Sequence, residues 1–416
     1  MTLDFTRITE QVDQMSHEVG ARRHTLAERA VIARRKLRLW SERLDEAMEI
    51  VREADADFRG AAPLLVPYGE PMAGAYPLPP CPEAATLIAV DGSQIYLDER
   101  ATALYYLTNI GVFTYHHGTD QAPECETDPV LSYHDDEIYV EGRLVTNVMI
   151  NARRTVSERA KLAEVAWKHR RGVRPLVAIA DGPLLFWVGS EVPDEEREEQ
   201  IMPGYYMAME KVRDTGQIFE GRAALAGYID NPNSTYVIRL LQLLPPMDIP
   251  DGAPPENLEG LNDQRLFGER VDPLLAPGER SALFVQQSPY NQRYANRDAD
   301  LEIAFFYLNV AMPGEHPYIA RVEVPMWVAR DRDLVNDVHA LLYHQCQLYG
   351  RYPYILARAD ELAVVRGHEK QELDNMIDLA LRRRGVEPVE TSVKAEGKDG
   401  IWRAQRERHS MGKGIR

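Results

Sequence analysis

Two apolar runs, ATLIAV at 85–90 and LVAIA at 176–180, each lead directly into Asp-Gly. Neither alternates apolar with polar residues, so a strand built from either must be covered on both faces. A chain with two such strands needs helices on both sides of a sheet, which places it in the α/β class. The Asp-Gly that ends each run delivers a carboxylate to the sheet edge, and the glycine permits close approach of other groups. The plain alternative is that Asp-Gly marks an ordinary turn after a strand.

Further strand-like segments extend the sheet: 103–117, rich in aromatic and β-branched residues, then 137–145, 224–231, 303–310 and 318–328. Helical patterns occupy 152–170, 333–349, 353–366 and 369–383. Strands first, then strands mixed with helices, predict a mixed α/β sheet flanked by helices. No internal repeat is visible. Ahead of this domain, 4 to 57 reads as one long helix, without glycine or proline from 21 to 58. Ile8, Val12, Met15 and Val19 begin an apolar stripe that Leu37, Trp40, Leu44, Met48 and Val51 continue. It packs on its own domain or forms an arm to a second subunit. The organisation expected is a helical extension (1–60), a connector with seven prolines (61–82), a main domain (83–385) and a polar, basic tail (386–416).

With 416 residues, 44% of them hydrophobic, the chain can bury a sizeable core. It has no apolar stretch long enough to span a membrane and no apolar leader at its N-terminus, so a cytoplasmic location is expected. Cys81, Cys125 and Cys346 are far apart and form neither a disulfide framework nor a cysteine-built zinc site. A formal charge of −17 argues against a broad grip on phosphates. Carboxylates gathered to hold divalent cations, or a partner that supplies the DNA grip, would reconcile that acidity with a nucleic-acid substrate.

Asp91 and Asp181 on neighbouring strand ends suit Mg²⁺ or Mn²⁺, which prefer oxygen ligands and can activate water for phosphodiester hydrolysis. A third carboxylate is sought on the helix before Asp181. If Val156, Ala160, Ala163 and Trp167 form its buried stripe, Glu164 stands at the stripe's edge and Glu158 nearly opposite, toward solvent. Glu164 is then the better-placed ligand, with a surface glutamate as the plain alternative. Glu323 in RVEVP faces the same cleft or is an exposed strand residue.

These segments together resemble the NurA nuclease family. IAVDGSQI and VAIADGPLL are similar to its two aspartate motifs, and Glu164 stands where the family places a glutamate. LNDQRLFGERVDPLLAPGERSALF (261–284), FFYLN with YIARVEVPMW, and RYPYILARADELAVV (351–365) resemble its later segments, so the likeness spans roughly 84–385. The resemblance implies an RNase H-like fold, a homodimer with a central channel, and Mn²⁺- or Mg²⁺-dependent 5′→3′ exonuclease and single-strand endonuclease activity. It also implies a HerA-type hexameric ATPase as partner in DNA end resection. By position, Asp91, Glu164, Asp181 and Asp360 would be the metal ligands, with Tyr352 bordering the site. Asp360 stands where many members have histidine; it remains an oxygen ligand but adds charge.

Other candidates are weaker. His116, His117 and Asp120 sit in a polar turn, and His339 and His344 are poorly spaced for shared ligation. The acidic run 191–200 reads as a solvated loop or helix start, or a guard that repels phosphates. Asn231, Asn233, Ser234 and Tyr236 reach toward a DNA backbone or belong to a simple turn. No phosphate-binding P-loop is present, so ATP hydrolysis by this chain is not expected. A non-catalytic adaptor docked on a translocase, and an unrelated acidic α/β protein, are the competing readings.

Overall fold

The computed structural model describes residues 5–218, 221–246 and 257–387. Its centre is one mixed sheet. Its main path runs through β1 (Gly60–Pro63), β2 (Ala85–Ile95), β3 (Tyr106–His117), β4 (Glu124–Ser132), β5 (Leu176–Asp181), β6 (Ala223–Ile229), β7 (Phe284–Gln287), β8 (Ile303–Asn309) and β9 (Ile319–Pro325), with the short strands Ala75–Tyr76 and Arg280–Ser281 paired beside it. They lie in the order β1-β7-β8-β9-β6-β5-β2-β3-β4. β2, β3 and β4 form an antiparallel meander, while β5 and β6 run parallel to β2. A meander of three strands followed by two parallel ones, ordered β4-β3-β2-β5-β6, is the arrangement that an RNase H-like sheet requires.

Side chains alternate between the two faces. Leu87, Ala89, Val177 and Ile179 point to one, where α6 (Arg332–Tyr349) and α7 (Tyr354–Ala363) cover them. Ile88, Val90, Ala178 and Ala180 point to the other, under α3 (Asn147–Lys168) and α4 (Met202–Gln217). Further along that face, Phe284, Phe305 and Tyr307 are covered by α1 (Phe5–Leu39), α2 (Leu44–Arg52) and α5 (Tyr236–Leu243). Double coverage explains why these strands carry unbroken apolar runs.

Several expectations are corrected. The N-terminal helix is not continuous: it breaks at Trp40–Arg43. There the Ser41 carbonyl and hydroxyl accept hydrogen bonds from Met72 and Ala73 at 3.0 Å each, and the Arg43 guanidinium lies 3.9 Å over the Trp40 ring. Tertiary contacts replace the helical ladder without any glycine or proline. The proline-rich stretch is extended, yet it is no free spacer, because β1 pairs with β7. Residues 139–144 form a two-strand hairpin outside the main sheet. β4 escapes a periodicity search because it is a polar edge strand containing Pro129, exposed along nearly its whole length. The polar tail from residue 388 lies outside the described residues.

The two halves of α1 differ. Leu26, Ala30, Ala33 and Leu37 are buried against the domain, whereas Phe5, Val12, Met15 and Val19 are exposed. Leu37→Ala is therefore expected to destabilise the protein by on the order of 3 kcal/mol, and Val12→Ala by less than about 0.5 kcal/mol. Chemical denaturation of both variants measures the difference; equal losses would mean that the front half of the helix is packed as well.

Candidate active site

Parallel pairing of β2 with β5 aligns Val90 with Ala180, so Asp91 and Asp181 follow side by side at the strand ends. Both continue the series that faces α6 and α7 (Leu87, Ala89 and Val177, Ile179). α7 brings the next carboxylate. Pro353 caps its start, Leu356, Ala359 and Ala363 are buried, and Asp360 lies two turns in. The Asp360 side chain stands close enough to Asp91 to raise the pKa of its carboxyl. Tyr352, in the turn before α7, donates its hydroxyl to Asp181. That turn is held by the Tyr228 hydroxyl, which donates to the Arg351 carbonyl at 2.9 Å.

Two glycines let the helices come this close. A Cβ on Gly111, directly across from Asp91 in β3, would meet the Ala359 carbonyl and the Ala363 amide at 2.5 Å each. A Cβ on Gly92 would meet Glu158 Oε1 at 2.5 Å. Glu158 therefore reaches the strand ends from the opposite face, through the space that Gly92 leaves open. Ser93 completes the motif: its hydroxyl donates to the Ala363 carbonyl and accepts from the Val365 amide at 3.2 Å, while Asn109 Nδ2 binds the same carbonyl at 2.7 Å. In Asp-Gly-Ser, one residue supplies charge, one supplies clearance and one fixes the helix that carries Asp360.

The third carboxylate is thus Glu158, and the choice of Glu164 is corrected. Glu164 is exposed and lies 3.5 Å from Lys161, which also pairs with Glu126 and Asp128 of β4. The buried face of α3 holds Ala152, Arg159, Leu162, Ala163 and Ala166, turned about 90° from the expected stripe. Arg159, a charged residue inside that face, hid it. Arg159 is buried, donates to the Tyr205 hydroxyl at 3.3 Å, and opposes the rise that burial imposes on the pKa of both Glu158 and Asp181. Glu323 is neither exposed nor a ligand here. It is buried, pairs with Arg321 at 2.8 Å, and accepts from the Leu184 amide at 2.8 Å, bracing the loop after Asp181.

The remaining candidates have structural partners. His116 and His169 both contact Glu124, His117 contacts Cys81, and His339 is buried against the Gly278 carbonyl at 2.7 Å. Glu196, in the acidic run, is buried and binds Arg153 at 2.7 Å. All three cysteines are free.

Residues 85–365 match the NurA domain family, more than half of the chain. The chain belongs to that family. No curated protein matches it significantly. Among solved structures, the NurA nuclease from Sulfolobus solfataricus is similar at 11% identity and a TM-score of 0.49, covering 91% of this chain and 98% of that one. A second structure, described as NurA, aligns at 12% identity and a TM-score of 0.39, over 80% of this chain and 94% of the other. Drosophila Piwi aligns at 12% identity and a TM-score of 0.29, over 67% of this chain and 29% of its own.

Within this NurA domain Glu158 is buried and Asp91 half-buried, while Asp181 and Asp360 are exposed at the edge of the site. Burial pushes the Asp91 carboxyl up to about 6; the Gly92 amide opposes the rise and the charges of Asp181 and Asp360 add to it. Burial pushes Glu158 up to about 7 despite Arg159 and Arg154. Burial also raises Asp181, with Tyr352 and Arg159 opposing. Glu158 Oε1 is buried and lies 3.1 Å from Arg154 Nε, without a well-aligned hydrogen bond. Among the described residues, no group of three or more His, Cys, Asp or Glu side chains is placed to hold a metal ion. The donor set is nonetheless all oxygen, crowded and short of positive charge, which fits a hard divalent cation better than a soft one.

A raised carboxyl retains its proton in the folded chain at pH values where the unfolded chain, near pH 4, has released it. Its favourable contribution is complete below about pH 4 and is lost as pH rises through about 6 to 7. In EDTA, Asp91→Asn is therefore expected to melt above wild type at pH 8, with the advantage vanishing toward pH 4. Calorimetry across that range checks the sign, and a variant that melts lower at pH 8 contradicts the repulsive cluster.

Proposed function

We propose that this chain is a divalent-metal-dependent DNA nuclease. The observation that carries the reading is the convergence of Asp91, Asp181, Asp360 and Glu158 from two strand ends and two helices on opposite faces of the sheet. Asp91, Asp181 and Glu158 would hold Mn²⁺ or Mg²⁺, with Asp360 beside them. The cation supplies Lewis-acid polarisation of the phosphate and a water of lowered pKa. Tyr352 keeps Asp181 oriented through its hydroxyl, and Arg159 offsets part of the carboxylate charge from behind. Gly92 and Gly111 hold the clearances on which this grouping depends.

The finer reading is 5′→3′ exonuclease and single-strand endonuclease action on DNA ends, in end resection for recombinational repair in the cytoplasm. A HerA-type hexameric ATPase is the proposed motor partner, because the NurA domain has no phosphate-binding loop of its own. A homodimer is supported by the exposed apolar stripe Phe5, Val12, Met15 and Val19 on α1. Among the described residues, no helix is long and apolar enough to cross a membrane.

Labelled single- and double-stranded DNA incubated with Mn²⁺, Mg²⁺ or EDTA tests the activity. Cleavage is expected with Mn²⁺ and not with EDTA, and is expected to disappear in Asp91→Ala and Asp181→Ala. Glu158→Gln should lose roughly 10–100-fold, on the scale of groups that support a metal site, and Glu164→Gln should stay near wild type. Mn²⁺ should also raise the melting temperature of wild type more than that of Asp181→Ala. Cleavage that survives EDTA or both aspartate substitutions ends the proposal.

A further inference from the structure

A cavity of about 340 Å³, which the reaction chemistry leaves unused, lies under the loop that follows Asp181. Pro183 and Leu185, just after Asp181 and Gly182, form one wall. Its other walls come from the loop before α5, the end of β9 and the start of the helix Pro289–Arg297. Its volume lies within the range of ligand pockets, about 300–1,000 Å³.

The lining unites aromatic faces with guanidinium groups. The Trp187 side chain is 62% exposed, unusual for so large an apolar group, and its Nε1 donates to the Tyr290 hydroxyl at 2.7 Å, which fixes the indole. Arg59 and Arg239 are exposed at the opposite rim, where Arg239 Nη1 donates to the Arg59 carbonyl at 2.9 Å. Arg321 is buried at the floor, 5.0 Å over the Tyr236 ring. Its Nε has no hydrogen-bond partner. Glu323 is the carboxylate in the lining, and its oxygens are already taken by Arg321 and by the Leu184 and Leu185 amides. The excess charge facing the cavity is therefore positive, in a chain whose total is −17. Asn233 and Ser234 add polar groups at the same rim.

We propose that this cavity is a subsite for single-stranded DNA, in which Trp187 stacks on a base and Arg59, Arg239 and Arg321 face the phosphates. Stacking on an aromatic face tolerates any base, and guanidinium groups track the backbone, so the subsite would hold a strand without reading its sequence. The cavity opens two residues after Asp181 in the chain, on the sheet face opposite to the one that Asp91 and Asp181 face. The proposal rests on the nuclease reading for the identity of its ligand and assigns Trp187 and Arg239 as positioning residues.

Fluorescence anisotropy of a labelled single-stranded oligodeoxythymidylate, measured in EDTA so that cleavage does not intrude, tests it. Trp187→Ala and Arg239→Ala are each expected to weaken binding about tenfold, while Trp187→Phe retains most of the affinity. Both side chains are exposed, and circular dichroism with melting curves verifies that the variants fold. Wild type that does not bind the oligonucleotide, or variants that bind as wild type does, overturn the subsite. Nuclease assays on the same preparations separate the two claims. An inactive wild type that still binds through Trp187 would sink the nuclease reading and uphold the subsite. An active enzyme whose KM for single-stranded DNA ignores both substitutions would do the reverse.

Discussion

The parallel pairing of β2 with β5 in one register, from Thr86 opposite Leu176 to Val90 opposite Ala180, makes neighbours of two aspartates that are distant in the chain. Side chains alternate with a period of two, so a slip of one residue would send Asp181 to the α3 face and leave Asp91 on the α7 face. The register is protected by burial. Leu87, Ala89, Val177 and Ile179 fill the core under α6 and α7, and Ile88, Val90, Ala178 and Ala180 fill the core under α3 and α4. Either slip would break both cores at once. The same apolar contacts that stabilise the sheet therefore hold the acids together.

Gathering those acids works against stability. Burial raises Asp91, Asp181 and Glu158, and the charge of Asp360 adds to the rise at Asp91. Arg159 is the main internal counter-charge, and it is committed to Tyr205 as well. Like-charged groups gathered at strand ends, with raised carboxyl pKa values, are a recurrent mark of functional sites. The surrounding fold offsets the cost: Ser93 and Asn109 anchor the end of α7, and Glu323 braces the loop after Asp181. A loose frame would let the carboxylates move apart into water.

How much of this was legible in the sequence depended on the kind of signal. Asp91 and Asp181 follow unbroken apolar runs, so their place at the ends of buried strands could be read directly. Asp360 and Tyr352 could be placed only through the resemblance of RYPYILARADELAVV to the family's segment, with which the helix opened by Pro353 agrees. Glu158 could not, because the buried face of α3 contains Arg159, and a search for apolar spacing turns the helix away from any stripe with a charge in it. Nor could Gly111, whose role is clearance for a helix more than two hundred residues later, a purely tertiary relation. β4 is polar because it is an edge, and the break after α1 is imposed by contacts with Met72 and Ala73 rather than by a local breaker.

The overall acidity, which on composition alone speaks against a nucleic-acid substrate, acquires a different meaning once the charges are placed. Acids such as Glu124, Glu126 and Asp128 line the outer edge strand, and four more carboxylates meet at the strand ends. Arg59, Arg239 and Arg321 stand on the other side of the loop that follows Asp181. Phosphate attraction is screened over roughly 10 Å at ordinary salt, so a strand near that loop responds to these local groups more than to the net charge. The field would draw it to the arginine side, and a divalent cation of the proposed kind would offset part of the carboxylate charge that repels it. Local placement of charge can thus couple the grip on a strand to the presence of the metal.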